Sequence, residues 1–340
     1  MNEMKMDTQD YVAEYNALKT SAGVLNLSSR SRLVLTGADR VRFLHGQVTN
    51  DIKRLRVGEG CYAALTTAKG KMESDLYIYC LQDELLLDFE PGLTEKVTAR
   101  LEKYIVADDV QVVDVSPHYR LLSVQGPKAA DVLRGAALGP DFPAKPLNFV
   151  KIAATEGEIY VMNQSRTGAV GFDIFAPVAE ITLGRKLLLA TEAAGGNACG
   201  IAALETARIE AGIPRFGVDM DETSFPQECG IEERAVSYTK GCYIGQEVLN
   251  RIHTMGHVNR TLCGLRLADE LKALPAKGDR LFSAEKEVGH VTSAVTSPSS
   301  QKNLALALLR NEVSRAGTKL KVKTGAGESS ATVTEGFFGK

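Results

Sequence analysis

Between Cys61 and Phe89 three apolar runs follow one another with almost nothing between them. Cys61-Tyr62-Ala63-Ala64-Leu65-Thr66-Thr67 is turned by Lys69-Gly70-Lys71, and Leu76-Tyr77-Ile78-Tyr79-Cys80-Leu81 is turned by Gln82-Asp83-Glu84 into Leu85-Leu86-Leu87-Asp88-Phe89. Turns this short permit antiparallel pairing only, because a parallel neighbour needs a crossover of a dozen or more residues. The helical patterns at 93–104, 125–133, 180–194 and 200–212 must then pack on antiparallel sheets. Strands followed by helices recur in two similar halves. The predicted class is α+β rather than a doubly wound parallel sheet.

Beyond Arg260 the pattern changes to short apolar runs at 262–267, 278–282, 288–295, 304–309 and 319–322, separated by Gly and Ser turns. Short, evenly spaced strands of this kind predict a small β-barrel. Three domains follow: a first α+β lobe over 1–145, a second over 146–257 and a barrel over 258–340, with the lobes free to exchange segments. The Pro-rich stretch 140–146 is the predicted linker between the lobes.

The 340 residues are 44% hydrophobic and 24% charged, enough for a sizeable core. The net charge of −2 excludes a protein that holds nucleic acid by bulk charge. Six widely spaced cysteines, with no Cys-x-x-Cys, read as reduced thiols and point to the cytoplasm. They predict neither a zinc site nor a resident iron–sulfur cluster, and no metal site is expected. Residues 1–11 carry no apolar leader, and no run is apolar enough to span a membrane.

The chemistry concentrates in Lys240-Gly241-Cys242-Tyr243-Ile244-Gly245-Gln246-Glu247. Two glycines let the backbone hold Cys242 out on a tight turn. Lys240, two residues away, and the helix predicted from Gly245 both favour a thiolate. The plainer reading is a small hydrophobe packed in a turn; the polar neighbours weigh against it. His45 reads as an ordinary helix residue, partly buried or on the surface. His253 and His257 share a helical spacing that Gly256 breaks.

This octapeptide, with Asn250-Arg251-Ile252-His253 and Gly256-His257-Val258-Asn259-Arg260 after it, resembles the signature of the YgfZ family. Those are folate-binding proteins related to the T-protein (aminomethyltransferase) of the glycine cleavage system. Phe43-Leu44-His45-Gly46-Gln47-Val48-Thr49-Asn50-Asp51-Ile52 is similar to the segment that opens chains of both kinds, and Val288-Gly289-His290-Val291-Thr292-Ser293 looks like part of the T-protein barrel. The resemblance implies two lobes and a barrel around a central cavity that binds tetrahydrofolate. It implies Asp173, in Thr167-Gly168-Ala169-Val170-Gly171-Phe172-Asp173, as an acidic contact to the pteridine, where the family more often has Glu. Phe172, Arg208 and Tyr243 are implied as further cofactor contacts. Spacing alone would leave Asp173 a solvated strand residue and Arg208 an ion pair with Glu205.

The resemblance also implies a function: folate-dependent support of iron–sulfur cluster assembly or repair. Cluster enzymes that modify tRNA would be among those sustained, iron–sulfur proteins or assembly factors would be partners, and Cys242 and Lys240 would be catalytic. The alternative is an aminomethyltransferase of T-protein type. T-proteins carry an acidic pair where this chain has Ser74-Asp75, so Asp75 is left as the candidate acid or base.

Overall fold

The computed structural model describes residues 8–337. The chain forms two compact units that share it in alternating pieces. One holds the described residues up to Ser31 with Gly58–Gly60 and Asp114–Arg208; the other holds Arg32–Val57, Cys61–Val113 and the described residues from Ile209 on.

The first unit is built on a six-stranded sheet. Its order is Asn197–Ala198, Gly23–Asn26, Tyr119–Gln125, Gly171–Pro177, Gly157–Asn163 and Phe149–Ala154. Pairing is antiparallel except between Gly23–Asn26 and Asn197–Ala198, which run parallel. Alternation along Gly171–Pro177 explains its two faces. Phe172, Ile174 and Ala176 enter a core with Val124, Val161 and Leu187, closed by the helices Ala129–Gly135 and Leu183–Ala193. Asp173 takes the opposite face and pairs with Ser123 across the ladder.

The second unit holds a five-stranded sheet in the order Gly60–Thr66, Met72–Cys80, Leu85–Phe89, Ser31–Thr36, Gln111–Asp114. Ala63, Leu65, Leu76, Ile78, Leu85 and Leu87 face a core with Phe43, Leu44, Val97 and Leu101 from the helices Arg40–Gln47 and Thr94–Glu102. The barrel is closed by six strands: Arg260–Leu267, Asn303–Arg310, Lys286–Thr296, Arg280–Ser283, Lys319–Thr324 and Gly327–Val333, the last pairing back to the first. Leu265, Val291, Ala307, Val322 and Val333 fill it.

The α+β class and the C-terminal barrel are thus as expected. Four strands were not anticipated: Gly23–Asn26, Phe149–Ala154, Asn197–Ala198 and Gly327–Val333. Among the described residues no helix is long and apolar enough to cross a membrane.

Candidate functional site

In the first unit the polar face of the sheet carries a buried acid–base cluster. Asp173 is fully buried, and both Arg166 Nη2, at 2.5 Å, and Nε, at 3.0 Å, donate to its Oδ2. Gln125 fixes the loop that delivers the arginine. Its Nε2 donates to Ser123 Oγ at 2.8 Å and to the Gln164 carbonyl at 2.9 Å, and its Oε1 accepts from Arg166 N at 2.8 Å. Gly171 stands opposite Gln125 in the ladder, where a Cβ would come within 2.0 Å of that amide. The Gly-Phe-Asp order is therefore steric as well as chemical: glycine admits the glutamine, and the next side chain on that face is the carboxylate.

Asp173 is thus a buried ion-pair partner, not a solvated strand residue. Phe172 faces the other way, into the core beside Phe142, with ring centroids 5.4 Å apart, so the structure does not bring it together with Asp173. Arg208 is buried on the helix Ile201–Glu210 and donates to Glu205 Oε2 at 2.7 Å, the ion pair that spacing suggests. Arg166 was missed by the sequence reading. A basic residue seven positions before a buried acid, on one glycine-punctuated loop, was the available signal.

In the second unit Asp75 lies on the strand face away from the core. It is buried, and Tyr62 O–H donates to its Oδ2 at 2.7 Å. Burial, and then the Asp75 charge, push the Tyr62 phenol up, so it stays a donor. The rings of Tyr62 and Tyr77 lie 4.8 Å apart, and the Arg234 guanidinium sits 5.2 Å from the Tyr62 ring. Ser74 is fully buried, its hydroxyl bonded to the Asp75 carbonyl. Asn50 Nδ2 donates to the carbonyls of Tyr62 and Arg234, which ties the Thr49-Asn50-Asp51 segment to this acid.

Cys242 is exposed, alone among the six cysteines in that respect. Burial pushes the thiols of Cys61, Cys199 and Cys229 up to about 12, and that of Cys263 to about 11. The turn that carries Cys242 is anchored at both ends. Lys240 Nζ donates to the carbonyls of His45, Val48 and Asn50 at 2.5, 2.7 and 2.8 Å. At the other end Ile244 N bonds the Gly46 carbonyl, and Thr66 Oγ1 bonds the Ile244 carbonyl. Burial lowers Lys240 to about 8, so at neutral pH the ammonium form that makes these bonds still predominates.

Lys240 therefore caps the C-terminal end of the helix Arg40–Gln47, with its three protons directed at carbonyls. Tyr243 is buried, with Lys240 Nζ 4.8 Å from its ring centre. The helix Gln246–Met255 follows, its N-cap Gly245 at φ +90°. His253, on that helix, stacks on Tyr238 at 3.7 Å with its Nδ1 3.0 Å from Glu232.

Two sheet-and-helix units, a closed barrel and buried carboxylates on the non-core strand faces define an α+β protein. Residues 4–240 match the GCVT N-terminal domain, and residues 260–340 match the glycine cleavage T-protein C-terminal barrel domain. The chain belongs to the glycine cleavage T-protein family. It is 32% identical to an aminomethyltransferase of Geobacillus thermodenitrificans over 99% of this chain and 92% of that one. An aminomethyltransferase of Halalkalibacterium halodurans is also 32% identical, over 91% and 84%. Among solved structures, the glycine cleavage system aminomethyltransferase T from Bartonella henselae superposes with a TM-score of 0.83 at 22% identity, covering 96% of this chain and 88% of that one, which is a likeness of fold.

Proposed function

We propose that the protein binds a reduced folate, tetrahydrofolate or a close relative, and acts as a folate-dependent one-carbon transferase of aminomethyltransferase type. The observation that carries this reading is Asp75: a buried carboxylate on the non-core face of its strand, oriented by a phenol that stays protonated. A pterin edge presents N–H donors that suit a carboxylate acceptor, the role proposed for Asp173. Tyr62 and Tyr77 add flat apolar area beside Asp75. A reduced folate, when bound, supplies the amine nitrogens that accept the one-carbon unit. Asp75 would hold or release a proton at its carboxylate, and Tyr62 would keep that carboxylate oriented. The relatives' shared name, aminomethyltransferase, supports the same chemistry.

The test is formation of methylene-tetrahydrofolate from tetrahydrofolate and an aminomethyl donor. Asp75→Asn is expected to cut turnover by about 10²-fold or more, the usual size of a lost proton-transfer group, with folate affinity kept. Unchanged turnover in that variant would sink the reading.

A second reading is favoured by the exposed thiol. In it the chain acts as a YgfZ-like folate-binding protein that supports iron–sulfur cluster assembly or repair, and through it cluster enzymes including those that modify tRNA. Iron–sulfur proteins are then its partners, and Cys242 is its working group. Cys242→Ala should then keep its fold and folate affinity and lose rescue of a cluster-dependent enzyme; full rescue by that variant removes the thiol from the function.

A further inference from the structure

From the sequence alone His45 reads as an ordinary helix residue and Lys240 as the partner of Cys242. The structure rearranges these roles. His45 is 6% exposed, on the helix Arg40–Gln47. Lys240 is fastened to the His45, Val48 and Asn50 carbonyls, and Ile244 to the Gly46 carbonyl. The three residues between those anchors, Gly241, Cys242 and Tyr243, therefore arch over His45 and Gly46. His45 Nε2 lies 3.8 Å from where a Cβ on Gly241 would stand, one residue from the thiol. Its Nδ1 is buried without a hydrogen bond and faces Asp51 Oδ1 at 3.4 Å.

We infer that His45, oriented by Asp51, is the base that takes the proton of Cys242, and that the thiolate so formed exchanges with the sulfur of an accessible disulfide. The inference rests on the second reading above, in which Cys242 is a working thiol. The carboxylate 3.4 Å from Nδ1 favours the tautomer with its proton on that nitrogen and leaves Nε2 as acceptor, the sense in which a carboxylate orients an imidazole beside a nucleophile. The charged groups around the ring are Asp51, which favours the imidazolium, and Lys240 and Lys53, which oppose it. Burial and Lys240 prevail, so the resting ring is neutral and able to accept. In the exchange, Cys242 loses its S–H proton to His45 Nε2. The sulfur attacks one sulfur of R–S–S–R′, the S–S bond breaks, a Cys242–S–S–R bond forms, and R′–S⁻ departs with the proton from His45. None of the other five cysteines is exposed, so the mixed disulfide waits for an external thiol.

The experiment follows release of thiopyridone when the full chain meets 4,4′-dithiodipyridine between pH 5 and 9, with Cys242→Ser assigning the signal. The expected result is a fast phase that persists below the ordinary thiol range of about 8.5. His45→Gln should slow that phase about tenfold or more at pH 7 and move its pH midpoint upward, and Asp51→Asn should do so to a smaller extent. Circular dichroism checks that each variant is folded. A profile for folded His45→Gln that superimposes on that of the unaltered chain overturns the inference. If His45→Gln does not fold, an unshifted Asp51→Asn profile does the same. A thiol inert in the unaltered chain instead removes the second reading itself.

Discussion

Asp173, the candidate pteridine contact, forms an enclosed charge pair with Arg166 in which the acid is fully buried. Removing one charge of such a pair leaves the other desolvated, which usually costs more than the pair contributes. Asp173→Asn should therefore lower unfolding free energy by about 3 kcal/mol or more and abolish folate binding. Urea unfolding and a folate titration measure the two separately; a variant of normal stability would show that Arg166 finds another acceptor. At this scale the sequence was only partly legible. Cys242 was readable from its glycine flanks and polar neighbours, and Asp75 and Asp173 because resemblance singled them out. Their partners were not: Tyr62 is thirteen positions from Asp75, and Lys240 is brought to residues nearly two hundred positions away. Phe172 was misleading because strand alternation, clear only once the ladder is known, puts it on the core face.

The turn before the helix Gln246–Met255 depends on one backbone conformation. Gly245 has φ +90°, and a Cβ there would come within 2.7 Å of both Thr66 Oγ1 and the Thr67 carbonyl. Gly245→Ala must strain the backbone and displace the Thr66–Ile244 bond, an expected loss of about 1–3 kcal/mol. The same variant should change the alkylation rate of Cys242, since one anchor of its arch moves. A normal melting temperature with a normal rate would mean the turn is looser than drawn. The paired glycines announced this element in the sequence, as strong apolar alternation announced the sheets. Gly327–Val333 escaped notice because its residues are mostly small or polar, yet it is the stave that closes the barrel. Asn197–Ala198 is two residues long and has no periodicity to read.

For the molecule as a whole, acid should be a specific weakness. Burial lowers the pKa of His45 and of His290 below the ordinary 6.5. The unfolded chain then binds more protons than the folded one below that value, so stability falls as pH drops through about 6.5. Each such histidine contributes a slope of at most about 1.4 kcal/mol per pH unit. The urea midpoint should fall between pH 7.5 and 5.5, and His45→Gln should narrow that fall; an equal fall in the variant would place the titration elsewhere. The α+β class and the barrel were legible from local pattern, but the way the chain is shared between units was not, because contacts at such separations leave no local signal. That sharing has a cost in time. The strand Gly23–Asn26 finds its parallel neighbour only at Asn197–Ala198. At about 5–20 residues per second, a ribosome needs roughly 10–35 s to deliver the second after the first. Throughout that interval the early strand keeps at least one edge unclaimed, since its other neighbour, Tyr119–Gln125, also follows it in the chain.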